Sequence, residues 1–152
     1  MKYRLLPALA LMVLAGCAPS PSVPQAWYPP VNARGDPVFA VFESRIPCAD
    51  CEKIKFALAL YRDRDTQAPT TYRLARVYVG NGNDRTVNEG TWSITRGAKP
   101  DPQAVVYRLD AAAPAEFRSF WAIGQDILFI LDQDGGPRVG NAGYGYALNR
   151  TR

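Results

Sequence analysis

Two cysteines stand three residues apart in the segment Cys48-Ala49-Asp50-Cys51, and the chain has only one other cysteine, Cys17. A pair at this spacing can form a local disulfide, serve as a redox couple or, when reduced, hold Cu(I) between two soft thiolates. Thioredoxin-type catalysis needs such a pair at the N-terminus of a helix, whereas the sequence predicts strands on both sides. We therefore favour a structural or sensing disulfide, with a metal-responsive dithiol at Cys48 and Cys51 as the alternative.

The residue types that are missing exclude several kinds of active site. The chain contains no histidine, and its two methionines, Met1 and Met12, lie near the start. Ser-His-Asp and Cys-His catalysis are thus excluded, as is a zinc site of the usual His and Cys type. Asp132 and Asp134 suggest calcium, but the segment lacks the Glu at the twelfth position of an EF-hand loop. We expect a polar turn there and a protein that is not an enzyme.

The first sixteen residues have the three parts of a secretory signal, with Lys2 and Arg4 ahead of an apolar run that is too short to span a bilayer. The segment Leu14-Ala15-Gly16-Cys17 resembles the lipobox of bacterial lipoproteins. This resemblance implies cleavage before Cys17, acylation of Cys17 and anchoring in membrane lipid. Ala18 in place of Asp favours the outer membrane, with the protein facing the periplasm.

The net charge falls from +4 to +2 when Lys2 and Arg4 leave with the signal. A nearly neutral mature chain without a basic, aromatic-rich run gives no reason to expect a nucleic acid partner.

The rest of the chain divides into a linker and one domain. Residues 17–36 hold the candidate lipidated cysteine and a stretch rich in Pro and Ser, and residues 37–152 show short apolar runs of period two. Strands are predicted at 38–45, 53–62, 71–79, 85–95, 104–110, 116–123, 127–132 and 144–149. Asn81-Gly82 and Asp134-Gly135 are predicted hairpin turns, and residues 140–146 are interpreted as the Gly-rich start of the last strand. The pattern predicts an all-β fold, a small antiparallel up-and-down barrel.

Four segments together resemble the N-terminal domain of the NlpE family of copper resistance lipoproteins. They are FESRIPCADCEKIKFALALYRD, TYRLARVYVG, GTWSI and DILFILDQDG, and they occur in the family's order over most of residues 38–136. The resemblance implies a lipocalin-like barrel on the periplasmic side of the outer membrane, partners in envelope stress signalling and a role in copper homeostasis. It places the family's CxxC pair at Cys48 and Cys51 and its lipidated cysteine at Cys17.

A second hypothesis belongs to a different functional class. A lipocalin-like barrel can carry a small apolar ligand, and the chain has aromatic residues that could line such a cavity. The candidate lining residues are Phe56, Trp92, Phe120, Trp121 and Phe129. The alternative for these five is an ordinary packed core, and the filling of the barrel interior distinguishes the two hypotheses.

Overall fold

The computed structural model describes residues 27–99 and 101–152. Within them, eight antiparallel strands follow one another around a closed barrel. The strands are β1 (Val38–Ile46), β2 (Lys53–Arg62), β3 (Pro69–Val79), β4 (Arg85–Arg96), β5 (Val105–Leu109), β6 (Ser119–Ile123), β7 (Ile127–Ile130) and β8 (Ala147–Arg150). The predicted all-β up-and-down barrel is confirmed. The predicted signal, Cys17 and the first part of the linker lie outside the described residues.

The alternation of β2 shows how the sequence directs its side chains. Ile54, Phe56, Leu58 and Leu60 point into the barrel and are at most 6% exposed. They join one core cluster with inward residues of the other strands. Because successive side chains of a strand point to opposite faces, this row alone predicts which side of β2 is core.

Two predicted strands are wrong in part. The strand predicted at 116–123 begins only at Ser119, because Ala115–Phe117 form a short 3-10 helix that follows Pro114 and buries Phe117 in the core. Residues 140–146 form a loop rather than a strand. The side chain of Asn141 accepts hydrogen bonds from the amides of Gly143 and Tyr144, both at 2.9 Å, so a local turn replaces the strand ladder there.

The two predicted hairpin turns have different outcomes. Asn81-Gly82 lies in the tight connection between β3 and β4, where Gly82 has a φ of 73°. Asp134-Gly135 also lies in a turn, but that turn belongs to the long connection from β7 to β8 instead of joining two hairpin strands directly.

Residues 27–36, part of the predicted linker, pack against the outer wall of the barrel, and we call them the strap. Trp27 and Tyr28 contact a second apolar cluster whose buried members are Val41, Ala59 and Tyr61. The indole nitrogen of Trp27 donates to Glu43 at 2.9 Å, and the Tyr61 hydroxyl donates to the carbonyl of Pro29 at 2.9 Å. This burial raises the pKa of Tyr61 to about 12. The strap therefore explains why the outward-facing residues of β1 and β2 that lie under it are apolar, as the inward-facing residues are.

Where β5 ends, the neighbouring strand β4 loses its β5 partner, and a side chain takes over the contact. Asp110, directly after β5, accepts hydrogen bonds from the Thr91 amide at 2.7 Å and the Thr91 hydroxyl at 3.0 Å. Its other oxygen accepts from the Ala112 amide at 3.0 Å and the Tyr72 hydroxyl at 3.3 Å. Desolvation acts to raise the pKa of Asp110, but these hydrogen bonds outweigh it and hold that pKa below its ordinary 3.8. The carboxylate thus ties three segments together.

The contacts of Asp110 and the core account for the residue types in the segment Gly90-Thr91-Trp92. A Cβ atom on Gly90 would lie 2.7 Å from Oδ2 and 2.8 Å from Cγ of Asp110, and closer still to Oδ1. Glycine is therefore required for the carboxylate to approach. Trp92 fills the core beside Tyr107 and donates its indole N–H to the Tyr61 carbonyl at 2.8 Å. Each residue of the GTW motif has a separate structural role.

The inward row of β3 includes a buried charge. Arg76 is only 6% exposed and donates to the Tyr78 hydroxyl at 3.0 Å and to Asn88 Oδ1 at 2.9 Å. Its guanidinium lies 5.5 Å from the centre of the Phe117 ring. A buried charge with polar partners therefore lies within the core near the end of the barrel that carries the β1–β2 connection, and Ile46 and Ile54 continue the apolar interior beyond it.

No helix within residues 27–99 and 101–152 is long and apolar enough to cross a membrane.

Candidate functional site

Cys48 and Cys51 form a disulfide in the short connection between β1 and β2, with a Cα–Cα distance of 5.3 Å. Both cysteines are partly buried and pack against the core cluster, whereas Asp50 is exposed. The amide of Glu52 donates to the Val79 carbonyl at 2.9 Å, which fixes the connection to β3. The sulfurs therefore lie at one end of the barrel, against the edge of the core and within reach of solvent.

Lys53 connects this loop to the long connection between β7 and β8. It forms an ion pair with Glu52, and its Nζ lies 6.0 Å from the centre of the Tyr144 ring. The hydrogen bond to Glu52 is the largest cause that raises the pKa of Lys53 above its ordinary 10.5; desolvation opposes it, and the charges of Glu52 and Tyr144 add to it. Lys53 therefore remains a cation beside the disulfide at neutral pH.

The donor set of the loop decides whether copper fits. As a disulfide, the two sulfurs are bonded to each other and supply no thiolate, so the oxidised loop does not fit a copper ion. Among residues 27–99 and 101–152, no group of three or more His, Cys, Asp or Glu side chains is placed to hold a metal. Only reduction would supply two thiolates, which suit Cu(I) in low coordination.

The candidate calcium ligands form an ordinary turn. Asp132 Oδ1 accepts hydrogen bonds from the amides of Asp134 and Gly136 at 2.9 and 2.8 Å. The Asp132 carboxylate therefore satisfies its own backbone turn, in agreement with the polar turn predicted from the sequence.

The five aromatic residues proposed to line a ligand cavity separate into two sets. Phe56, Trp92 and Phe120 are at most 4% exposed and belong to the core cluster. Trp121 and Phe129 are partly exposed cross-strand neighbours on the outer face, with ring centres 6.3 Å apart. The interpretation of Trp121 and Phe129 as interior residues is wrong, because Phe120 and Leu128 take the inward positions of β6 and β7.

Three cations were not recognised as a group from the sequence. The strand register places Arg45 opposite Lys55, Lys55 opposite Val77, and Val77 opposite Arg85. All three cations are exposed on the outer wall, and we call Arg45, Lys55 and Arg85 the basic row. Alternation along each strand predicts that they face outward, but only the register of four strands shows that they are aligned.

The fold and the loop define a class: a small up-and-down β-barrel protein in which the two described cysteines close one local disulfide at an end of the barrel. The family model described as the NlpE N-terminal domain matches residues 42–141, about two thirds of the chain. The chain therefore belongs to the NlpE family.

Solved structures that are similar to the chain include two bacterial proteins. One is described as a lipoprotein from Shewanella oneidensis, with 20% identity and a TM-score of 0.46 over 74% of this chain and 87% of that chain. The other is the Cpx pathway activator NlpE from Escherichia coli, with 24% identity and a TM-score of 0.45 over 69% of this chain and 48% of that chain. The match thus spans about half the length of the E. coli protein. No curated protein sequence matches the chain.

Proposed function

We propose that this protein is a non-enzymatic outer-membrane lipoprotein, anchored through Cys17, that takes part in the envelope stress response. The Cys48–Cys51 loop is its reporter of thiol or copper state. Membership of the NlpE family supports the proposal, and the similar E. coli protein is described as an activator of the Cpx pathway. The observation that carries it is the disulfide itself, which closes a partly exposed loop at the end of the barrel.

The size of the ring suits a reporter better than a staple. A disulfide that closes so short a loop stabilises the fold by only about 2 kcal/mol on the chain-entropy model. The barrel can therefore survive reduction, in which the S–S bond takes up two electrons and two protons from a dithiol and gives two thiols. Because Cys48 and Cys51 also touch the core cluster, a change in their bonding alters the packing of the loop.

Copper binding is expected to depend on the redox state of the pair. The purified protein should bind Cu(I) weakly when oxidised, bind it after reduction, and lose this gain in the Cys48→Ser/Cys51→Ser variant, because carboxylates select poorly for Cu(I). The free energy of unfolding of that variant should fall by only about 2 kcal/mol. Competition titration in both redox states and denaturant unfolding measure these quantities. Copper binding that persists undiminished in the double variant would place the copper site elsewhere.

The signalling role is tested in cells that carry a transcriptional reporter of the host's envelope stress response. Wild type should change the reporter output on addition of copper or dithiothreitol, whereas Cys48→Ser/Cys51→Ser should give an output that ignores both. Asp50→Asn is the matched control, because it alters the same exposed loop and retains the disulfide. A double variant that responds as wild type does would refute the reporter role of the loop.

Cys17→Ala should leave the membrane fraction if Cys17 is the anchor.

A further inference from the structure

The basic row borders a groove on the outside of the barrel, and this groove is separate from the disulfide loop. Its volume is 750 Å³, and its floor includes the small side chains of Ala57 and Ala75, which are opposite each other in the register of β2 and β3. Trp27 of the strap and Tyr144 of the β7–β8 connection also line it. Small floor residues between two aromatic side chains allow a backbone to lie close to the sheet.

The three cations of the groove form no ion pair with any residue that the structure describes. Arg45 lies directly opposite Lys55 on the neighbouring strand, an arrangement of like charges that destabilises a sheet. Among the residues that the structure describes, the ion pairs are Lys53 with Glu52 and Arg73 with Glu89, so none involves the basic row. Glu43, which accepts the hydrogen bond from Trp27, is the one carboxylate in the lining, so three cations face one anion there.

The wall beside the groove also has an unused strand edge. The ladder between β1 and β8 consists of Phe42 with Arg150 and Glu43 with Asn149, although β1 continues to Ile46. Val41 exchanges backbone hydrogen bonds with the C-terminal residues on the β8 side. Backbone groups alternate along a strand, so those of Arg45 point to the same side, where the ladder gives them no partner. Arg45 therefore offers a backbone donor and acceptor as well as its charge.

We propose that this groove binds an extended acidic peptide segment of a partner protein, which lies across β1 to β4 with its carboxylates over the basic row. Adjacent strands are about 4.8 Å apart, so the row spans about 14 Å, or four to five extended residues at about 3.3 Å each. The concave shape between Trp27 and Tyr144 suits a chain rather than a flat lipid surface. The chain's own residues 18–26 contain no acidic side chain and three prolines, so they lack the complementary charge.

The inference does not depend on the function proposed for the disulfide, and binding to the purified full-length protein tests it. The probes are capped hexapeptides of alternating Glu and Thr, Gln and Thr, or Lys and Thr, titrated by calorimetry and NMR. We expect binding of the Glu peptide, with the Arg45 amide among the shifted resonances. The Arg45→Glu/Arg85→Glu variant should bind this peptide about tenfold more weakly, as expected for the loss of two charge contacts.

Arg64→Glu/Lys99→Glu is the matched control, because it makes the same change in net charge at exposed positions outside the groove. The control variant should weaken binding of the Glu peptide by less than about twofold, since it loses only long-range attraction. If both variants bind the Glu peptide equally weakly, the effect comes from net charge alone and the proposal is overturned. Vesicles of phosphatidylglycerol test the other occupant. If the vesicles bind in a way that depends on Arg45 and Arg85 and the peptide does not bind, the groove recognises a lipid surface and the proposal is overturned.

The fold itself provides a check on these variants. Because Arg45 faces Lys55, Arg45→Glu places unlike charges opposite each other and should leave the thermal midpoint at or above that of wild type. A binding loss in a variant of unchanged or higher midpoint then belongs to the groove. A lowered midpoint would show that the basic row stabilises the barrel, which contradicts the argument that its like charges are unpaired and unfavourable to the fold.

Discussion

The Phe56→Ala variant should lose about 4 kcal/mol of unfolding free energy, the largest effect of any single substitution that we predict. Phe56 is 1% exposed, and its ring packs edge-on against Phe117 at 5.1 Å and near Phe120 at 6.2 Å between centres. Truncation removes both aromatic contacts and leaves a cavity that the rigid strands on either side cannot close. For a domain of this size the thermal midpoint should fall by about 15 °C.

Phe129→Ala is the matched control for this prediction. It removes the same side chain from the outer face of β7, where Phe129 is only partly buried beside Trp121. Its cost should be about 1 kcal/mol, because less apolar area leaves contact. Both values are read from denaturant unfolding. Similar costs for the two variants would mean that the interior around Phe56 is loosely filled, as a carrier of apolar ligands requires.

Gly90→Ala should cost about 3 kcal/mol, although it adds one methyl group to the middle of β4. The new Cβ would meet the Asp110 carboxylate at less than any normal contact distance. Asp110 must then turn away from the Thr91 and Ala112 amides, and although water reaches these exposed amides, a hydrogen bond to a charged group contributes about 1.5–3 kcal/mol. The measured quantity is the free energy of unfolding at neutral pH.

Two further variants show whether Asp110 is the cause. Gly145→Ala is the control glycine, since its Cβ would meet nothing closer than the Ala147 nitrogen at 4.0 Å, and it should cost less than about 0.5 kcal/mol. In an Asp110→Ala background, Gly90→Ala should lose most of its effect, because the clashing carboxylate is gone. If the cost stays the same in that background, the clash is with the backbone and Asp110 is not responsible.

The barrel could be predicted from the sequence because each long strand carries its own signal. In β2, Ile54, Phe56, Leu58 and Leu60 alternate with residues of the other face, and that period is independent of the rest of the fold. The strand predictions failed where tertiary contacts override local preference. Phe117 turns into the core over the end of β5, and no pattern within residues 116–123 indicates this. The Asn141 turn is a similar case, in which side-chain hydrogen bonds replace a ladder.

The disulfide was predictable because its two cysteines are close in sequence. The other surface features depend on which strands pair and in which register. Asp110 meets Thr91 and Tyr72 only because β4 and β3 bring them there. The alignment of Arg45, Lys55 and Arg85 likewise needs the register of four strands. Whether Trp27 covers the barrel could not be decided from the sequence, because a stretch rich in proline and serine has no apolar period.

The strap also limits how far the disulfide could lie from a membrane to which the proposed anchor, Cys17, holds the chain. Because residues 27–36 pack on the barrel flank, only residues 17–26, ten at most, separate the proposed anchor Cys17 from the strap. A fully extended polyproline-like segment of that length reaches about 31 Å, at about 3.1 Å per residue. The strands add about 30–40 Å at about 3.3 Å per residue over twelve residues at most. If Cys17 is the anchor that we propose, any molecule that contacts the Cys48–Cys51 loop must approach within about 70 Å of the leaflet that holds the lipid.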